Sequence, residues 1–328
     1  MSTATITPGE EAAASSTRAA QPAAAAGDRL FRLLTGGAAW LVLILLLGAA
    51  GSMAWGGREA FQTFGWKFIT SKDWDAVGHQ FGALVPIYGT IVSSLIAMLV
   101  AVPISFGIAT FLAEVAPRWM RGPIGMAIEL LAAVPSIIYG MWGLFIFAPF
   151  MGDKVEPWLT EHFATLPVIG VLFDGPPIGI GMLTAGIILG IMTIPFISSV
   201  MRDVFQAIPP ALRESAFALG ATPWEVVCKV TLPHTRSAVM GAIFLGLGRA
   251  LGETMAVTFV LGNAHDFSLS LLMPGNSIAA AIANEFTEAD SPIYHSALIA
   301  LGFLLFVVTF IVLAIAKYML LRIERKGR

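Results

Sequence analysis

The chain has 328 residues, of which 57% are hydrophobic and only 12% charged, with a mean hydropathy of +0.81. Soluble domains carry about 25% charged residues, so the solvent for most of this chain is lipid. A formal net charge of -2 gives no sign of a nucleic-acid partner, and the single Cys228 excludes an internal disulfide and any cysteine-rich metal site.

Residues 1–28 are rich in Ala, Ser, Thr and Pro and are expected to form a disordered tail. No short apolar stretch ending in a cleavage signal precedes the first apolar run, which is therefore expected to be an anchor. A helix needs about 20 residues to cross a bilayer core. Six segments meet that length: Leu33–Trp55, Leu84–Leu112, Ile124–Phe150, Pro177–Val200, Thr235–Leu261 and Ser296–Leu320. Pro86, Pro103, Pro135 and Pro195 within them predict kinked or broken spans, since neighbouring helices can satisfy freed backbone groups. The expected fold is thus an all-α membrane protein of six spans over residues 29–328.

Arg and Lys set the orientation. The N-terminal segment (Arg18, Arg29, Arg32), the second loop (Arg118, Arg121), the fourth loop (Arg202, Arg213, Lys229, Arg236) and the C-terminus (Lys317, Arg322, Arg325, Lys326, Arg328) hold fourteen of the 19 basic residues. The positive-inside rule places both termini in the cytoplasm, as an even span count requires. Outer-side Asp153, Glu156, Glu161, Asp266, Glu288 and Asp290 are expected on solvated surface. Glu129 is expected at the cytoplasmic interface, near Arg118 or Arg121. Gly186-x-x-x-Gly190 and Gly248-x-x-x-Gly252 are candidate sites of close helix approach.

The fourth loop, 209–234, predicts two capped helices. Pro209-Pro210 introduces the first, Ala211–Leu219, and Gly220 is placed to end it in the left-handed conformation. Thr222-Pro223-Trp224-Glu225 carries a capping box for the second. That helix is expected to reach about Thr231 and to stop at Leu232-Pro233. Two readings stay open: a stiff wedge offered to a partner, or helices lying flat on the bilayer or over the bundle's base.

The fifth span carries Arg249 and, one turn on, Glu253, expected on one face and able to pair. An arginine near the bilayer centre costs at least about 2.5 kcal/mol, so it must face protein or a water-filled path. Its planar fork suits an oxyanion; a structural ion pair is the competing reading. Thr254 and Thr258 are expected to bond internally. Asn263, His265 and Asp266 are too few and too mixed to define a metal site. The loop 262–295 contains Pro274-Gly275 followed by an apolar stretch too short to span, expected as a re-entrant or interfacial helix. No nucleophile–base pair and no phosphate-cradling Gly-Lys-Ser/Thr loop is present, so catalysis of its own and a bound cofactor are not expected.

Glu214-x-Ala216-x-x-x-Gly220, nine residues, then Val230-x-Leu232-Pro233 resembles the cytoplasmic coupling loop of membrane subunits of type I ABC importers. Ser215 stands where a second alanine is usual. Ala133-Val-Pro-Ser-Ile-Ile-Tyr-Gly140, Thr193-Ile-Pro-Phe-Ile-Ser-Ser-Val200, Gly248–Ala256 and Pro274–Phe286 are similar to segments of the permease subunits of bacterial high-affinity phosphate importers. That resemblance implies that Glu214, Ala216, Gly220, Leu232 and Pro233 face an ATPase subunit and that Arg249 and Glu253 serve phosphate passage. It also implies a bacterial inner-membrane location, a second permease PstA, two PstB ATPases consuming ATP and Mg, a periplasmic phosphate-binding protein PstS, and a possible set of phosphate-signalling partners. Three rivals remain: a permease for another oxyanion such as sulfate or molybdate, an ATPase-independent secondary transporter, and a membrane scaffold in phosphate sensing.

Overall fold

The computed structural model describes residues 22–167 and 169–326. Most of the expected tail, 1–21, lies outside them. From Pro22 the chain is helical, so residues 22–28 are the first turns of α1 (Pro22–Gly56). Two compact units meet in sequence at Ser52 and Met53. The first is a single apolar helix, the part of α1 up to Ser52.

The second unit opens with α2 (Arg58–Phe64), α3 (Lys67–Thr70) and a two-residue antiparallel ladder of β1 (Trp74–Asp75) and β2 (Gln80–Phe81). Helix α4 (Leu84–Thr110) continues into a π-turn at Phe111–Val115 and is followed by α5 (Arg118–Ala132). Then α6 (Ser136–Trp142), α7 (Ala148–Phe150) and α8 (Glu156–Phe163) run end to end through two π-turns. After α9 (Met182–Gln206) come α10 (Pro210–Ala218), α11 (Pro223–Val226), α12 (Leu232–Leu251), α13 (Met255–Val260), α14 (Ile278–Glu285) and α15 (Pro292–Lys326).

The chain is an all-α, multi-pass membrane protein. Among the described residues five helices are long and apolar enough to cross a bilayer: Gly27–Gly56, Leu84–Val115, Ser136–Phe163, Met182–Gln206 and Pro292–Arg322. Two expected spans need correction. Ile124–Phe150 is not one helix: Pro135 is the N-cap of α6, and its ring disfavours helical geometry at Val134. The span therefore runs from Ser136 to Phe163. Thr235–Leu261 is also not one helix, because α12 ends at Leu251 and α13 begins at Met255. By contrast Pro103 and Pro195 lie inside unbroken helices.

The main internal interface joins α4 to α9. A Cβ on Gly186 would lie 2.6 Å from the Ile96 Cβ, and one on Gly190 3.0 Å from the Ala97 carbonyl. These glycines let two backbones meet where lipid offers no hydrophobic drive for association. Ser105 adds a hydrogen bond across the interface, donating to the Ile194 carbonyl at 3.1 Å. The second pair behaves differently: Gly248 has only the Leu313 side chain nearby and Gly252 only the Gly248 carbonyl.

The expected short helix after Pro274 forms as α14. Ser277 caps it, accepting from the Ala280 amide at 3.1 Å, and Thr90 of α4 accepts from the Ile278 amide at 2.9 Å. Gly89 touches the Asn276 carbonyl so closely that no side chain fits there. Helix α14 is thereby pinned to the top of α4.

Candidate functional site

The break between α12 and α13 is where Arg249 and Glu253 sit. Arg249 occupies the last turn of α12, and its charge complements the negative end of that helix. Glu253 lies in the three-residue gap, with its Oε1 3.5 Å from the Ala256 amide at the start of α13. Each charge is thus held by a helix end of opposite polarity. Among the described residues Arg249 forms no ion pair, so the expected Arg249–Glu253 contact is not made. The reason is geometric: the one-turn spacing of residues four apart requires an intact helix, and α12 has ended at Leu251. Arg249 is exposed and its guanidinium carbon lies 5.9 Å from the Phe196 ring centroid. Thr258 bonds internally as expected, donating to the Thr254 carbonyl at 2.8 Å.

The two-helix element of residues 209–234 forms with its expected caps. Gly220 adopts φ +85°, the Gly220 amide donates to the Phe217 carbonyl and the Ala221 amide to the Ala216 carbonyl. Those two bonds close α10 as a complete left-handed C-terminal cap. The Thr222–Glu225 capping box is also complete. Hydrogen bonding from the Thr222 backbone, together with Lys229 at 2.9 Å, lowers the Glu225 carboxyl to about 2.

Pro233 does not stop the second helix. Helix α11 passes through a π-turn at Val227–Thr231 directly into α12. The wide turn accommodates the missing amide and the ring that would clash in a regular helix. Of the five residues expected to face an ATPase, Glu214, Gly220 and Pro233 are exposed, Ala216 is half-buried, and Leu232 packs inward on the cluster around Met201 and Phe205. Exposed apolar groups surround them: Leu212, Phe217, Trp224, and Leu219 at 89%.

Two polar placements, Glu129 and Glu156, depart from expectation, and two more, His265 and Glu114, have partners that local spacing does not show. Glu129 pairs with Arg202 at 2.7 Å, joining α5 to the end of α9. Glu156 is fully buried, not on solvated surface, because its Oε2 accepts the Gly179 amide at 2.7 Å. His265 faces Glu285 at 2.8 Å, and Glu285 also accepts from the Trp74 indole at 2.7 Å and the Tyr294 hydroxyl at 2.6 Å. Finally, Glu114, near the end of the π-turn that closes α4, is buried and takes a hydrogen bond from Thr231 at 3.1 Å. The sequence held one signal for it: Glu114 is the lone charge in Leu84–Val115.

Residues 103–325 match the family described as binding-protein-dependent transport system inner membrane component. Over 296 residues the chain is 62% identical to the phosphate transport system permease protein PstC of Xylella fastidiosa, covering 90% of this chain and 91% of the other. It is 54% identical over 297 residues to the protein of that name from Pasteurella multocida, covering 90% and 92%. A probable phosphate permease PstC of Methanocaldococcus jannaschii is 36% identical over 298 residues, covering 89% and 93%. Among solved structures, a chain of a bacterial alginate ABC transporter shares the fold with a TM-score of 0.56 at 19% identity, covering 90% of this chain and 97% of that one.

Proposed function

The chain belongs to the PstC permeases, within the binding-protein-dependent transport inner membrane components, and on that premise we propose that it forms half of the membrane path for ATP-driven phosphate import. It is a transport subunit of the bacterial inner membrane and not an enzyme in its own right. One observation carries the mechanism: helix α12 ends beside Arg249, which forms no ion pair among the described residues, and its other end runs directly into the second helix of the capped 209–234 element.

In this reading α1, α4, α6 to α8, α9, α12 with α13, and α15 make six crossings, with both termini in the cytoplasm. Partners follow from the family: a second permease PstA, two PstB subunits that consume ATP with Mg, and a periplasmic binding protein PstS. Arg249 presents its fork toward the PstA side, where a partly dehydrated phosphate needs positive charge and hydrogen-bond donors. Glu253 limits how tightly the anion is held, so that it can leave. Glu214, Ala216, Gly220, Leu232 and Pro233 form the seat for PstB, with Leu219 and Trp224 supplying apolar contact. Loaded PstS docks outside, ATP closes the PstB pair inside, and the path changes side.

Reconstituted with its partners, the complex should take up phosphate only when ATP is present. Arg249→Gln should lower uptake at least about tenfold, the scale of one charge-assisted hydrogen bond, with assembly intact. Uptake of sulfate but not phosphate would overturn the substrate; robust uptake without PstB would overturn ATP coupling.

A further inference from the structure

Two π-turns meet at the cytoplasmic end of the bundle, one closing α4 and one leading into α12. Glu114 lies in the first and Thr231 ends the second, and the Thr231 hydroxyl joins them. Such turns insert an extra residue, are uncommon, and recur at working sites. The Glu114 side chain is only 4% exposed. A buried carboxylate needs partners, and its second one is Arg213 of α10, whose Nε lies 3.4 Å away. The same guanidinium donates to the Phe205 carbonyl. That carbonyl is among the last four of α9, which have no partner within their own helix, and a cation there also complements the helix dipole.

One carboxylate and one guanidinium therefore tie four segments together: the end of α4, the end of α9, the coupling helix α10 and the root of α12. Apart from chain continuity, this is where the cytoplasmic element grips the spans by charge. Buried ion pairs are poor sources of stability compared with packed apolar groups, and in some proteins their use is to fix relative position.

We infer that Glu114 and Arg213 form a transmission clasp, through which displacement of α10 by the ATPase is carried into α4 and α9. Glu114 acts through other residues and touches no phosphate, so it is a positioning residue. The inference rests on the permease reading given above. It predicts that loosening the clasp wastes ATP: the two ends still work, but the stroke is lost between them.

The test uses the assembled complex in proteoliposomes and reads phosphate moved per ATP hydrolysed, normalised to assembled complex. Glu114→Gln keeps the shape and the Thr231 bond while removing the charge that faces Arg213. Arg213→Lys, on the outlying α10, keeps the charge but loses the fork, and leaves the bundle's packing alone. Each should lower the ratio about fivefold or more, and the double variant should be no worse than either single, as expected of groups acting as one unit. A ratio equal to wild type in both single variants overturns the clasp, as do additive losses in the double variant. A role in stability alone would lower assembly, transport and hydrolysis in step and leave the ratio untouched. Absence of ATP-dependent uptake in the wild type would overturn the permease reading itself, which separates the two failures.

Discussion

Glu285 gathers three segments through single atoms: Trp74 from the short ladder, His265 from the loop before α14, and Tyr294 from the start of α15. Burial pushes its carboxyl up, yet the hydrogen bonds from His265, Tyr294 and Trp74 outweigh this and hold it below its ordinary 4.5. A folded-state value below the unfolded one contributes stability above about pH 4.5, which is lost as pH falls through the folded value. Thermal unfolding of the purified protein should show that acid loss, and Glu285→Gln should flatten it. Glu285→Ala should be worse than Gln at neutral pH, since each orphaned donor costs about 1–3 kcal/mol. None of this could be read from the sequence. Its partners lie 9, 20 and 211 residues away, and local spacing carries no record of such contacts. Arg249 was legible for the opposite reason: a charge inside an apolar run stands out wherever the chain goes.

Single elements were legible where their signals are local. Gly220, the capping box and the short helix after Pro274 all stand as expected, because caps and turns are decided within a few residues. The ends of spans were less so. Pro135 marked a kink or break, but nothing local said that the span would restart at Ser136 and run to Phe163, and no proline marks the gap after Leu251. Pro233 misled for a related reason: a proline normally ends a helix, but the π-turn before it absorbs the disturbance. Gly220→Ala isolates the backbone term cleanly, since a Cβ there would meet nothing within 4 Å. The left-handed φ alone should cost about 1–2 kcal/mol. Hydrogen exchange should show α10 opening more readily, and phosphate moved per ATP should fall; unchanged exchange would mean that α10 is held by something other than its cap.

Across the whole molecule, packing of α4 on α9 is the frame to which the other helices are added. Gly186→Ala should destabilise it by about 1–3 kcal/mol, because the obstructing Ile96 atom is the branch point of its side chain and cannot swing aside. Gly107→Ala, in α4 with open space around it, should leave the melting temperature of the purified chain where it was or slightly above. Equal losses in the two variants would show that the interface is not what matters. The all-α, membrane-spanning class was readable from composition, since lipid permits few alternatives; which glycine pair packs and which stays open was not, because both have the same spacing.

The uninterrupted run from Pro223 to Leu251 has a mechanical consequence. At 1.5 Å per residue it is a rod roughly 43 Å long, held near its Pro223 end through Thr231 and jointed at its far end by the gap before Met255. A tilt of about 10° around that joint swings the lower tip by roughly 7 Å, over a lever arm fixed by the helical rise. Almost none of this motion need reach α13, which is packed on α6 and α9. Under the permease reading proposed above, the span would act as an oar in a rowlock: a long sweep at the ATPase would become a small rotation beside Arg249, with large force and little travel.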